Sequence, residues 1–105
     1  MPKYIKGDDL FTYIVTVSFN DIEYWYIVNA DNEANATEEA LSLAAQDLFV
    51  VDIFDYSGTV EFHADSESEK EYVFDYDFPD DENAAIDMLL ERAAADLKIV
   101  NIEQV

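Results

Sequence analysis

Residues 44–53 read "AAQDLFVVDI" and residues 93–102 read "AAADLKIVNI", with six of the ten positions identical. In each copy a stretch of small helix formers runs through Asp-Leu into a β-branched stretch. That is the transition from a helix to a strand. Reading outward, residues 35–48, "NATEEALSLAAQDL", predict a helix. Ala40, Leu41, Ala44, Ala45 and Leu48 form its apolar face, and Asn35 is its expected N-cap, with Glu38 reaching back. Before it, "FTYIVTVSF" (11–19) and "YWYIVNA" (24–30) read as strands joined by a turn at "NDIE", and "FVVDIFDY" (49–56) follows it as a third.

The second half repeats this order. "TVEFHA" (59–64) and "EYVFDYDF" (71–78) read as strands. "DDENAAIDMLLERAAADL" (80–97) reads as a helix with acids in its first turn, where the macrodipole favours them. "KIVNIEQV" closes as a strand. Thr16-Val17-Ser18-Phe19 answers Thr59-Val60-Glu61-Phe62, and the six residues from Tyr26 to Asp31 answer those from Tyr72 to Asp77. The pattern predicts one domain over 1–105 with an internal repeat, 11–54 and 59–103, each a β-β-α-β unit. The expected class is α+β: about six mainly antiparallel strands with two helices on one sheet face. A variant of the same pattern pairs strands between two chains and makes a homodimer.

The chain carries 25 acids against five bases, a net charge of −20. Such a charge opposes direct binding to nucleic acid or an anionic membrane and favours basic protein partners. Half the residues are hydrophobic and 14 are Phe or Tyr, too apolar for a disordered acidic tail. Salt-adapted proteins are also acidic, but here Lys exceeds Arg four to one and large apolar residues are plentiful. There is no cysteine, hence no disulfide and no thiolate chemistry. The N-terminal "MPKYIKGDDL" has no apolar stretch of signal-peptide length, and no long apolar run follows, so a cytoplasmic protein is expected.

The acids are unevenly placed. Residues 65–82 hold nine acids and one base, Lys70, and residues 47–91 hold fifteen acids against the same lysine. Side chains on one face of a strand repeat every ~6.6 Å, close to the separation of neighbouring phosphates along a nucleic-acid strand. Glu67, Glu69 and Glu71 have that alternate spacing, and so do Asp75 and Asp77. Asp80, Asp81 and Glu82 follow, and Asp87 and Glu91 extend the row at helical spacing. Tyr72, Phe74, Tyr76 and Phe78 are expected under the helices, with the carboxylates turned outward. A rigid scaffold of this kind stands in for phosphates and engages Lys and Arg. Trp25, in "EYWYIV", is either packed on a sheet or an exposed apolar anchor.

Other chemistry finds little support. A calcium loop starting at Asp75 puts Pro79 at position five and Ile86 at position twelve, and one starting at Asp31 puts Ala36 at six and Ser42 at twelve. Both fail the EF-hand pattern. Pairs of carboxylates are inevitable among 25 acids. His63, the only histidine, reads as a strand-face residue. No Gly-rich phosphate loop, nucleophile elbow or metal-ligand spacing is present. No catalytic residue, metal or cofactor is expected, and the chain reads as non-enzymatic.

In size, lack of cysteine, net charge and the dense run "ADSESEKEYVFDYDFPDDE" (64–82), the chain resembles the small acidic DNA-mimic inhibitors of phages and mobile elements. That class includes anti-restriction proteins, anti-CRISPR proteins and uracil-glycosylase inhibitors. The resemblance implies a stoichiometric inhibitor, encoded by a phage and acting in the host cytoplasm on a nucleic-acid-binding complex. The alternative is an acidic interaction or assembly module that binds a basic protein partner through a sheet edge or Trp25.

Overall fold

The computed structural model describes residues 10–75 and 81–105. Its elements run β1 (Phe11–Phe19), β2 (Ile22–Ala30), α1 (Glu33–Ala45), β3 (Leu48–Phe54), β4 (Ser57–Phe62), β5 (Asp65–Val73), α2 (Glu82–Ala95) and β6 (Lys98–Gln104). The fold is α+β, and each of the four strand pairs is antiparallel. The strands form two three-stranded sheets, ordered β2-β1-β6 (sheet A) and β3-β4-β5 (sheet B), where the sequence suggested one. The reason is an exchange of strands. After α1 the chain joins the second hairpin, so β3 pairs with β4. After α2 it returns, so β6 pairs with β1. Each sheet is therefore a hairpin from one half completed by the closing strand of the other.

The two halves use the same geometry at corresponding positions. The β1–β6 register shifts between Thr16 and Val17, where Asn101 and Ile99 are the partners. The β4–β3 register shifts at Thr59 and Val60, where the partners are Asp52 and Val50. The extra residue is Val100 in one ladder and Val51 in the other, the same position within the two ten-residue copies. Ala36, Ala40 and Ala44 form the buried stripe of α1, and Ala85, Leu89 and Ala93 that of α2. α1 packs on β1 and β2, α2 on β3 and β4, and the helices touch each other. A single core cluster runs through both sheets, with Phe19 and Phe62 in edge contact at 6.1 Å between ring centroids.

Several boundaries differ from the sequence reading. Asn32 caps α1: its backbone is extended and its side chain accepts the Asn35 N–H at 2.8 Å. Asn35 lies inside the helix and donates its side-chain amide to Asp31. The early start brings Ala36 into the buried stripe. α2 begins at Glu82, capped by Asp81, and ends at Ala95. β4 spans 57–62, so His63 is not a strand residue but sits with Ala64 in the turn, both at positive φ (57° and 54°). Asn20 and Asp21 form the matching turn of the first hairpin, at 51° and 70°. β5 starts at Asp65, six residues before the expected strand, and stops at Val73. Ser and Glu are poor strand formers, but the tight turn returns the chain at once and pairing overrides propensity. Tyr72 is buried and Phe74 half-buried, as expected of that alternation. Asp75 lies beyond the strand in a bend, while Tyr76, Asp77, Phe78 and Asp80 lie outside the described residues.

The β4–β5 ladder holds a larger irregularity. Phe62 pairs with Asp65, but Val60 pairs with Lys70, so four residues of β5 lie opposite Glu61 alone. Ser68, fully buried within this bulge, fills the gap. Its Oγ accepts the Phe62 N–H at 2.7 Å and lies 2.6 Å from the Asp65 carbonyl, to which it donates.

Candidate functional site

Alternation along β5 turns Ser68, Lys70 and Tyr72 inward and Glu67, Glu69 and Glu71 outward. The outer face of sheet B is built on that row. Glu71 pairs with Thr59, which pairs in turn with Asp52. Glu61 projects on the same side, between Phe49 of β3 and the bulge of β5. Five carboxylates thus share one sheet face: Asp52, Glu61, Glu67, Glu69 and Glu71. Asp52 and Glu71 lie on the outer strands with Thr59 between them, about 10 Å apart. The Glu61 carboxyl is held above the usual carboxylate range. Its hydrogen bond with Glu69 is the main cause, followed by partial desolvation and by repulsion from Glu69 and Asp65.

Lys70, the lone base of this region, does not offset that charge. It points to the inner side, where its Nζ lies 3.1 Å from Asp96 Oδ2. Asp96 also accepts the Tyr72 hydroxyl at 2.6 Å. That bond, then Lys70, holds its carboxyl below the usual range. Burial, then the aspartate, pushes the Tyr72 phenol up. Asp47 is the counterpart in the first half. It accepts the Tyr26 hydroxyl at 2.8 Å and lies 3.3 Å from His63 Nε2. Tyr24 stacks on the His63 ring at 3.8 Å. On the other side of the junction, Asn20 donates to the Ser68 and Glu69 carbonyls. The turn of each hairpin thus holds the second strand of the other, and this fixes β5 and its glutamates. The junction leaves a polar cavity of about 190 Å³ lined by Ser18, Asn20, Asp21, Lys70, Asp96 and Lys98.

The remaining expected acids do not join this face. Asp81, Glu82, Asp87 and Glu91 are exposed on α2, which packs on the inner side of sheet B. Asp87 and Glu91, one turn apart, form a separate pair on the helix layer and do not extend the β5 row. Asp75 lies beside Val73, Phe74 and Arg92. Asp77 and Asp80 fall outside the described residues. Asp52 and Glu61 were missed in the sequence. The alternation of "TVEF" shows Glu61 on the outward side of its strand, whereas Asp52 is placed by the bulge at Val51. Trp25 is 69% exposed on the outer face of sheet A. Among the described residues no group of acids and histidine is arranged to hold a metal ion, and no helix is long and apolar enough to cross a membrane. No family model matches the chain, and comparison with curated proteins and solved structures gives no match.

Proposed function

We propose that the chain is a nucleic-acid mimic that inhibits a host defence complex, of the CRISPR or restriction type, by occupying its nucleic-acid-binding site. The observation that carries this reading is the outer face of sheet B. Asp52, Glu61, Glu67, Glu69 and Glu71 lie on three adjacent strands, and Lys70, the one base near them among the described residues, is turned inward onto Asp96. Their role is electrostatic. They present clustered negative charge on a segment already held by the Glu71 pairing, by the Ser68 hydroxyl and by Asn20, so little ordering is needed on binding. The groove of a nucleic-acid-binding protein obtains much of its affinity from phosphate contacts, and a rigid row of carboxylates competes for the same lysines and arginines.

The test is capture from bacterial lysate on immobilised protein at about 100 mM salt, where screening is limited. A nucleic-acid-binding complex is expected, displaced both by competing DNA and by rising salt. Replacing Glu61, Glu67, Glu69 and Glu71 together by Gln should abolish capture, while any one replacement has little effect. Capture that ignores both DNA and the fourfold replacement in a folded variant refutes mimicry through this face.

A further inference from the structure

We infer that the outer face of sheet B holds an extended segment of a protein partner, one that carries a Lys or Arg and, two residues away, an apolar side chain. This rests on the basic partner proposed above and adds what that partner presents besides charge. Phe54 and Val73 are 65% and 59% exposed. Both pair with Ser57, from opposite sides. The three form one row on the outer face, while α2 packs on the inner side of the sheet. The next row along the strands is Asp52, Thr59 and Glu71. The face therefore changes from apolar to acidic over one step of about 6.6 Å.

The centre strand decides the shape. In these two rows β4 carries only Ser57 and Thr59, while β3 and β5 carry larger side chains. The face is low along β4 and raised on both sides. β3 and β5 lie about 10 Å apart across it. A helix with its side chains is about 10–12 Å wide, too wide to settle between these walls, whereas an extended chain fits. An extended chain also repeats its side chains on one face every ~6.6 Å, the separation of the two rows. One side chain reaches Phe54 and Val73 when the next on that face reaches Asp52 and Glu71.

Charge complementarity selects the occupant. Glu61 and Glu69 continue the acidic end beyond Asp52 and Glu71, and no base among the described residues faces it. Lys70 is turned onto Asp96, Arg92 of α2 lies over the Phe74 ring, and Lys98 is on β6. A Lys or Arg is favoured at the second row, whereas a nucleic acid or a second copy of this chain, itself at −20, is repelled. The first row calls for a different group. An unbroken run of Lys and Arg leaves Phe54 and Val73 in water, and an apolar side chain there is buried against both. Contacts to the carboxylates weaken with salt, while the apolar contact does not depend on charge.

The experiment is fluorescence anisotropy with the intact protein and three labelled peptides. The first is acetyl-Gly-Leu-Thr-Arg-Thr-Arg-Gly, the second has Ser in place of Leu, and the third has Gln in place of both Arg. Between about 10 mM and 150 mM salt the screening length falls from about 30 to 8 Å. Affinity for the first two peptides should fall together, with the first roughly tenfold tighter throughout. The third should bind roughly tenfold more weakly than the first at the lower salt. Phe54→Thr with Val73→Thr keeps β-branched residues on the strands. It should bring the ratio of the first two below about twofold and leave their salt dependence in place. Asp52→Asn with Glu71→Gln should weaken both Arg peptides and leave their ratio. All four positions are exposed, so the fold should survive, and circular dichroism checks that it does. Equal binding of the first peptide and either of the others, no binding of the first at low salt, or a ratio unmoved in the folded Phe54→Thr, Val73→Thr variant overturns the inference. Mimicry is judged separately, by capture and by displacement with DNA, so each can fail alone.

Discussion

Tyr72 donates its phenolic proton to Asp96 at 2.6 Å, and Tyr26 does the same to Asp47 at 2.8 Å. Both aspartates stand just after the helix, in the "QDL" and "ADL" steps of the two ten-residue copies. Each bond ties a hairpin strand to the segment that leads into the other sheet. Tyr72→Phe should therefore cost about 1 kcal/mol, less than a fully buried bond to a charged group because Asp96 is partly exposed. The pH dependence has two limbs. Burial, then the aspartates, raises both phenols, so their stabilisation is complete below about pH 10 and is lost as pH rises toward the native values. Asp96 is lowered, chiefly by Tyr72. Its contribution is present above about pH 4 and is lost as pH falls through its depressed value. Urea unfolding across pH should show the alkaline limb shrink in Tyr26→Phe and Tyr72→Phe.

Ser68 is the one buried polar side chain among the described residues. Its Oγ takes up the Phe62 N–H that the bulge leaves without a strand partner. Ser68→Ala strands that donor and the Asp65 carbonyl, and should cost about 1–3 kcal/mol. The urea midpoint should fall with the slope unchanged. An unchanged midpoint would mean that water or a local shift satisfies both groups.

Gly58 lies beneath the side chain of Leu89, which a Cβ on Gly58 would meet at clashing distance, and the Asp52 carbonyl is 3.0 Å from the same point. The corresponding residues in the first half are Val15 and Ala40, both fully buried. There the strand supplies the bulk; here the helix does. Gly58→Ala should destabilise by about 1–3 kcal/mol. Gly58→Val with Leu89→Ala recreates the first-half arrangement. The double variant should be more stable than the sum of the single losses predicts, as a double-mutant cycle can measure.

Ala64 sits at φ 54° in the β4–β5 turn. That region costs a residue with a Cβ about 1–2 kcal/mol, whereas Gly enters it freely. Ala64→Gly should raise stability by about 0.5–1 kcal/mol, since the flexibility it adds to the unfolded chain offsets part of the relief. The matching turn needs no such change, because Asn20 and Asp21 tolerate positive φ.

The architecture was legible where the local pattern and the tertiary demand agree. β1 runs over 11–19 as its alternation requires, and the ten-residue copies mark the two helix-to-strand steps. The exchange of β3 and β6 between the halves was not legible, because either pairing satisfies the same alternation. β5 was read late: "ADSESEKE" looks like a charged loop, and only the turn at His63–Ala64 and the buried hydroxyl of Ser68 make it a strand. The same limit applies to the acidic face. Glu67, Glu69 and Glu71 could be placed together by their spacing alone. Their union with Asp52 and Glu61 depends on the ladder, and so does the separation from Asp87 and Glu91.

Glu61 and Glu69 hydrogen-bond across the outer face of sheet B, and the Glu61 carboxyl is raised as a result. A raised carboxyl contributes stability at low pH that is lost as pH rises through its native value. At neutral pH the pair is therefore a liability to the fold. Glu69→Gln removes the competing charge. It should return Glu61 toward the ordinary carboxylate range and leave the protein at least as stable at pH 7. Side-chain carboxyl resonances followed by NMR through the acid range check the first expectation, and urea unfolding checks the second. The same substitution should weaken capture by a basic partner only slightly, because one charge among five is lost. A basic partner should also release a proton from Glu61 when it binds in the acid range, since it favours the ionised carboxylate. Calorimetry in buffers of different ionisation heat would detect that release, and its absence would place the contact away from Glu61 and Glu69.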